Sequence, residues 1–130
     1  MQLYIEIQVE DCSRAINFYT TIFPSWSFTQ DSNLPIEYHR GTISADNTQT
    51  AINILKRPVQ APPPKHGTNA FVCSFPVEDE KALDELEAKV TELGGKIAMA
   101  KFPIPGRGWH GYFIDTEGNT FGVFTTTLRE

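Results

Sequence analysis

The tripeptide Val9-Glu10-Asp11 returns as Val77-Glu78-Asp79, an offset of 77 − 9 = 68 residues, and the pattern of apolar residues around it returns as well. Such self-similarity marks two copies of one supersecondary unit, each with an apolar side that must be covered. In the first copy Leu3, Ile5, Ile7 and Val9 alternate with Tyr4, Glu6 and Gln8, the period of a half-buried strand. Asp11 suits a helix N-cap, and Ile16, Tyr19 and Phe23, with Ala15, Phe18 and Ile22 beside them, recur at helical spacing. The spacing predicts a helix over 12–23, stopped by Pro24, with strands following at about 25–29, 36–43 and 50–56 between clusters of Asp, Asn, Ser and Gly.

The second copy has the same order. Phe71, Cys73, Phe75 and Val77 alternate and map onto Leu3, Ile5, Ile7 and Val9. Asp79 then caps a helix whose stripe is Leu83, Leu86, Val90 and Leu93 and whose end is Gly94-Gly95. Strands are expected at 96–102, 110–115 and 120–126, with Thr116-Glu117-Gly118-Asn119 as the last turn. Between the copies, Pro58, Pro62, Pro63 and Pro64 exclude a helix or central strand. The reading is therefore α+β: a single domain over 1–130, with module one at about 1–56, a Pro-rich connector at about 57–68 and module two at about 69–127, each module β-α-β-β-β. Each helix covers one face of its own sheet, which turns the other faces toward a shared cleft.

Composition narrows the function. A formal net charge of −5 and no basic run longer than Lys56-Arg57 argue against nucleic acid as a partner, because tracking phosphates takes clustered Lys and Arg. No apolar run approaches the roughly 20 residues that span a bilayer, and Glu6, Glu10 and Asp11 interrupt any leader-like stretch, so no membrane partner and a cytoplasmic location are expected. The two cysteines, Cys12 and Cys73, read as reduced, without the paired spacing of a zinc site. His39, His66 and His110 are scattered and show no H-E-x-x-H spacing. Residues 106–111 satisfy G-x-G-x-x-G, but a strand is expected after them where a dinucleotide site needs a helix. With Pro103 and Pro105 just before it, the segment reads as a rigid, glycine-jointed loop near a cleft mouth, where Trp109 and His110 act as lid residues over a ligand or as cap packing.

The informative residues are the polar ones on strand faces turned away from the helices. If Ile5, Ile7, Ile52 and Ile54 face the helix, a period of two turns Tyr4, Glu6, Gln8 and Asn53 the other way. In the second copy Phe121 and Val123 face the helix, while Ser74, Gly122 and Phe124 turn away. A cleft lined by Tyr4, Glu6, Asn53, Ser74 and Phe124 is apolar with a few polar anchors, as small-molecule sites are; the alternative is that Glu6 is only solvated on an open sheet face. Cys12 at a helix start is either a thiol activated by the helix dipole or a small buried apolar residue.

These modules, together with Ile5-Glu6-Ile7 through Asp11, Arg14-Ala15, Phe18-Tyr19, Gly94-Gly95-Lys96, Ile104-Pro105-Gly106 and Asp115-Thr116-Glu117-Gly118-Asn119, resemble the vicinal oxygen chelate superfamily of glyoxalases, bleomycin-resistance proteins and extradiol dioxygenases. The similarity is strongest over 69–124, where it points to an uncharacterised glyoxalase-related group. The resemblance implies an incomplete eight-stranded barrel around one cavity, and a homodimer. It also implies four inward metal-ligand positions, which fall here on Tyr4, Asn53, Val72 and Gly122. Val72 and Gly122 have no side-chain donor, so neither a metal nor another cofactor is expected at that site. The function expected is metal-independent binding of a small molecule, with Glu6 as an anionic anchor and Tyr4, Gln8, Asn53, Ser74, Trp109, His110 and Phe124 around the ligand. The alternative is a glyoxalase-related lyase or isomerase with Glu6 as general base and Tyr4 or Ser74 nearby, or a divalent-metal enzyme with non-standard ligands.

Overall fold

The structure, a computed structural model, describes residues 3–43, 50–58, 63, 71–106 and 108–125. Most of the expected connector, with His66, lies outside the described residues. The chain divides into two compact units, Met1–His66 and Gly67–Glu130. Unit one runs β1 (Leu3–Val9), α1 (Cys12–Ile22), β2 (Trp26–Gln30), β3 (Tyr38–Ile43), β4 (Thr50–Lys56). Unit two runs β5 (Cys73–Val77), α2 (Glu80–Glu92), β6 (Lys96–Ile104), β7 (Gly108–Ile114), β8 (Thr120–Thr125). Both are β-α-β-β-β, and among the described residues the strands form two separate four-stranded sheets, ordered β1-β4-β3-β2 and β5-β8-β7-β6, with no closed barrel.

In unit one the first and last strands are parallel neighbours, with Ile5 opposite Ile52, Glu6 opposite Asn53 and Ile7 opposite Ile54. This register puts the isoleucines and Val9 on the face that α1 covers. The helix starts where Asp11 Oδ1 accepts from the Arg14 backbone N–H at 3.0 Å. Its buried stripe is Cys12, Ala15, Phe18, Tyr19 and Ile22, one position round from the Ile16-centred stripe of the sequence reading. Trp26 completes this core, stacked on Phe23 with ring centroids 4.4 Å apart and on Tyr19 at 5.7 Å.

Unit two repeats the plan. Asp79 Oδ1 accepts from Ala82 N–H at 2.9 Å, and Leu83, Leu86 and Val90 are buried with Phe75, Phe113, Phe121 and Val123. At the far end, Asp115 Oδ1 accepts from Glu117 and Asn119 N–H, both at 2.8 Å, and Gly118 takes φ +83°. The Asp-Thr-Glu-Gly-Asn segment of the family resemblance is thus a side-chain-closed hairpin turn.

Two boundaries differ from expectation for physical reasons. The first strand of unit two begins at Cys73, where its ladder with β8 starts opposite Phe121, and Phe71 is exposed. The segment 103–109, expected as a loop, is mostly strand: Pro103 pairs with Trp109 and Ile104 with Gly108, leaving a short turn in which Gly106 takes φ +75°. Proline is tolerated there because β6 is the edge strand, whose outward N–H positions need no partner.

Candidate functional site

On the face of the first sheet away from α1, the registers collect Glu6, Gln8, Asn53 and Leu55 with Tyr38 and Arg40 of β3, since Tyr38 lies opposite Leu55 and Arg40 opposite Asn53. Glu6 and Gln8 are exposed, whereas Tyr38 and Asn53 are buried, Asn53 being only 1% accessible. The Tyr4 side chain lies outside the described residues; its backbone sits opposite Ala51. A chain of hydrogen bonds links the group. Gly41 N–H donates to Asn53 Oδ1 at 3.0 Å, Asn53 Nδ2 donates to Tyr38 Oη at 3.1 Å, and Tyr38 O–H donates to Glu6 Oε2. Burial, then the bond to Glu6, pushes the Tyr38 phenol above its ordinary range, so it stays a neutral donor. Arg40 lies over the Tyr38 ring, 5.6 Å from its centroid, and Nε donates to Asp31 Oδ2 at 3.0 Å.

Gly41 explains why Asn53 is where it is. A Cβ at position 41 would lie far inside the van der Waals contact distance to the Ile52 carbonyl oxygen, so only glycine lets β3 pass this point. Among the described residues the β3–β4 pairing ends at Arg40 and Asn53, and the next backbone N–H bonds the Asn53 amide instead of the ladder. Asn53 is both a stitch between strands and one end of the chain that leads to Glu6.

The equivalent face of the second sheet is aromatic. Ser74 lies opposite Gly122, Pro76 opposite Phe124, Tyr112 opposite Gly122 and His110 opposite Phe124. The His110 ring stacks on Phe102 at 5.8 Å and on Phe124 at 6.1 Å, and lies 4.6 Å from Tyr112. Burial lowers the His110 pKa and favours the neutral ring.

The sequence-derived set divides between these faces. Glu6, Gln8 and Asn53 share the first, and Ser74, His110 and Phe124 share the second. Trp109 belongs to neither. As the strand neighbour of His110 it points to the α2 side, its ring 4.9 Å from Lys101 Nζ, which also pairs with Glu80 at 2.6 Å and Asp84 at 2.8 Å. The lid role expected of Trp109 and His110 together is corrected, because consecutive residues of β7 face opposite ways. Of the two readings of Cys12, the small buried one fits: the side chain is buried, and burial with the neighbouring Glu37 carboxylate raises its pKa to about 11. Tyr38, Arg40, Phe102 and Tyr112 were not singled out from sequence. Period-two alternation within the expected strand 36–43 carries Tyr38 and Arg40 to one face, but only the β3–β4 register shows that it is the face of Glu6.

The model of the Glyoxalase/Bleomycin resistance protein/Dioxygenase superfamily matches residues 2–123. The chain belongs to that superfamily. No curated protein sequence matches significantly. Among solved structures, the chain resembles a glyoxylase/bleomycin resistance protein/dioxygenase domain from Frankia sp., with TM-score 0.72, 18% identity and 95% of each chain covered. A hypothetical protein from S. aureus gives TM-score 0.70 at 17% identity over 96% of each chain. The fosfomycin resistance protein FosX from Listeria monocytogenes, solved with Mn(II), gives 0.70 at 17% identity, covering 98% of this chain and 90% of that one. At these identities the likeness is one of fold.

A divalent metal at the inward positions of this superfamily does not fit the residues present. Asn53 has its carbonyl oxygen committed to Gly41 and its amide nitrogen to Tyr38. Val72 lies outside β5 with an apolar side chain, and Gly122 has none. The space a side chain at 122 would use is taken: a Cβ there would lie 2.8 Å from His110 Cε1 and closer still to Ser74 Oγ. Two positions without side-chain donors and a third tied into a hydrogen-bonded chain leave no full divalent coordination set at these four positions.

Proposed function

We propose that this superfamily member is a metal-independent small-molecule binding protein whose ligand is held on the Glu6 face of the first sheet. The observation that carries the reading is the hydrogen-bonded chain Gly41–Asn53–Tyr38–Glu6, which fixes an exposed carboxylate by one oxygen from a buried support. A carboxylate so oriented suits a ligand with a cationic or hydrogen-bond-donating group, because little side-chain freedom remains to be lost on binding. The guanidinium and phenol of Arg40 and Tyr38 beside it limit how an anionic part of the same ligand is placed. Taken by itself, the stacked face of Phe102, His110, Tyr112 and Phe124 in the second unit suits a planar or apolar molecule.

The protein works as a homodimer in this reading, on the fold resemblance, and in the cytoplasm, in keeping with two free cysteines. Among the described residues no helix is long and apolar enough to cross a membrane. The test begins with native mass spectrometry of tag-free protein to identify a co-purified molecule, whose affinity is then measured with and without chelator. Glu6→Gln should weaken it by at least about tenfold, roughly 1.4 kcal/mol, while Glu10→Gln and chelator leave it unchanged. Equal affinity in wild type and Glu6→Gln, or loss on chelation, refutes the reading. A second reading draws on the same Tyr38–Glu6 bond: a lyase or isomerase in which Glu6 removes a proton from the bound molecule. Glu6-dependent conversion of that molecule selects it.

A further inference from the structure

Away from the Glu6 face, on the side of the first sheet that α1 covers, three chemically different ligand atoms meet. Cys12 Sγ at the start of α1, a Glu37 carboxylate oxygen just before β3 and a His39 ring nitrogen within β3 all lie within 4.8 Å of one another. Their approach follows from the fold. His39 is opposite Ile54 and therefore on the helix side of the sheet, and Lys56 N–H donates to the Glu37 carbonyl at 2.9 Å, holding the residues before β3 against the end of β4. His39 Nε2 is 2.8 Å from Glu37 Oε2, and the Cys12 thiol also hydrogen-bonds Glu37. Cys12 is 3% exposed and the His39 side chain 12%, while Glu37 opens to solvent at 40%, so the cluster has a shielded floor and an entrance.

We propose that Cys12, Glu37 and His39 form a binding site for one borderline transition-metal cation of the zinc class. Thiolate, imidazole and carboxylate are the three side-chain donors such a cation takes, and three protein ligands leave a fourth position for water. Tetrahedral coordination with bonds of ~2.0–2.3 Å sets ligand atoms on the order of 3.5 Å apart. The observed cluster therefore needs rotamer adjustments of about 1 Å, with the His39–Glu37 bond opening and the sulfur closing in. On binding, the Cys12 S–H bond breaks, the sulfur pair forms the metal bond and one proton passes to solvent; no redox change is involved. The neighbouring charges are Lys56, which opposes the cation, and Asp11, which favours it. Hard cations such as magnesium are excluded by the sulfur and the imidazole. The spacing in the sequence carries no sign of the site, because Cys12 opens α1 while Glu37 and His39 lie at β3, 25 and 27 residues later, and only the packing of α1 on the sheet brings them together.

The test titrates the full chain, after chelation and dialysis, with Co²⁺ and then Zn²⁺. The expected result is a near-ultraviolet thiolate-to-cobalt band that saturates at one ion per chain and is displaced by zinc. It persists in Cys73→Ser and Glu6→Gln and is absent in Cys12→Ser. His39→Ala and Glu37→Gln, which leave the buried cysteine in place, should each weaken zinc binding at least about tenfold and shrink the zinc-dependent rise in melting temperature. Absence of the band, a band lost with Cys73 or Glu6, or His39→Ala and Glu37→Gln proteins that bind zinc as wild type does, each overturns the proposal.

Discussion

Replacing Asn53 with alanine isolates the stitch between β3 and β4. The wild-type amide closes two bonds, 3.0 Å from Gly41 N and 3.1 Å to Tyr38 Oη, and Asn53 is 1% exposed. Alanine leaves the part-buried Gly41 N–H without its acceptor, a cost of about 1–2 kcal/mol, and removes the Tyr38 bond, worth about 0.5–1.5 kcal/mol. The sum is about 1.5–3.5 kcal/mol, which for a chain of 130 residues lowers the melting temperature by about 5–17 °C. Tyr38→Phe keeps the Gly41 bond and orphans only Asn53 Nδ2, so it should cost about 1–2 kcal/mol, with little from the exposed Glu6 partner. The two substitutions share one hydrogen bond, so the double variant should lose about 1 kcal/mol less than the two singles added together. Gln8→Ala, an exposed change on the same face, should stay within about 0.5 kcal/mol of wild type. Urea melts of wild type and the four variants decide the matter. Should Asn53→Ala unfold together with Gln8→Ala, or the double variant show strict additivity, the amide does not hold β3 to β4 and the reasoning fails.

Three further outcomes follow from the geometry, and a fourth from the fold resemblance. Gly41→Ala should lose more than about 2 kcal/mol, because its Cβ meets the Ile52 backbone oxygen and not a rotatable side chain, whereas Gly94→Ala, at φ +94° with open space around it, should cost about 1 kcal/mol; comparing the two melts checks this. Folding depresses the His110 pKa, so the unfolded chain takes up that proton first; the stabilisation is complete above the ordinary value of 6.5 and is lost as the pH falls below it toward the folded value. His110→Phe should flatten the stability profile between pH 7.5 and 5 relative to wild type, and identical slopes would count against it. Cys12 should resist iodoacetamide at pH 8, since its thiolate forms only near pH 11; peptide mapping showing rapid alkylation there contradicts the assigned burial. Light scattering should give twice the 14.6 kDa chain mass at micromolar concentration, and the monomer mass would refute the homodimer.

What the sequence disclosed was whatever depends on short-range periodicity. Alternation in Leu3–Val9 and 3.6-residue spacing in both helices set element type and the face of Glu6, and the Val-Glu-Asp repeat set the module order. What it hid depends on register between strands far apart in the chain. Tyr38 and Arg40 join Glu6 only because β3 pairs with β4 from Tyr38 opposite Leu55 onward, and no local pattern encodes that alignment. Trp109 was misplaced for a related reason. A proline-flanked, glycine-rich stretch reads as a loop unless it is known to lie on a sheet edge, and once it is a strand, Trp109 and His110 must part company.

The parallel pairing of first with last strand in each unit bears on how the chain reaches this structure. Leu3 finds its place beside Thr50, 50 − 3 = 47 residues later, and Cys73 beside Phe121, 121 − 73 = 48 residues later. Neither opening strand can settle until its whole unit has been made, so during synthesis β1 waits as an unpaired ribbon while the local α1 helix and the β2–β3 hairpin form around it. The arrival of β4 then closes the first sheet in one event, before any residue of the second is needed. Two clocks of nearly equal length run one after the other, and a pause in translation between the units costs the first of them nothing.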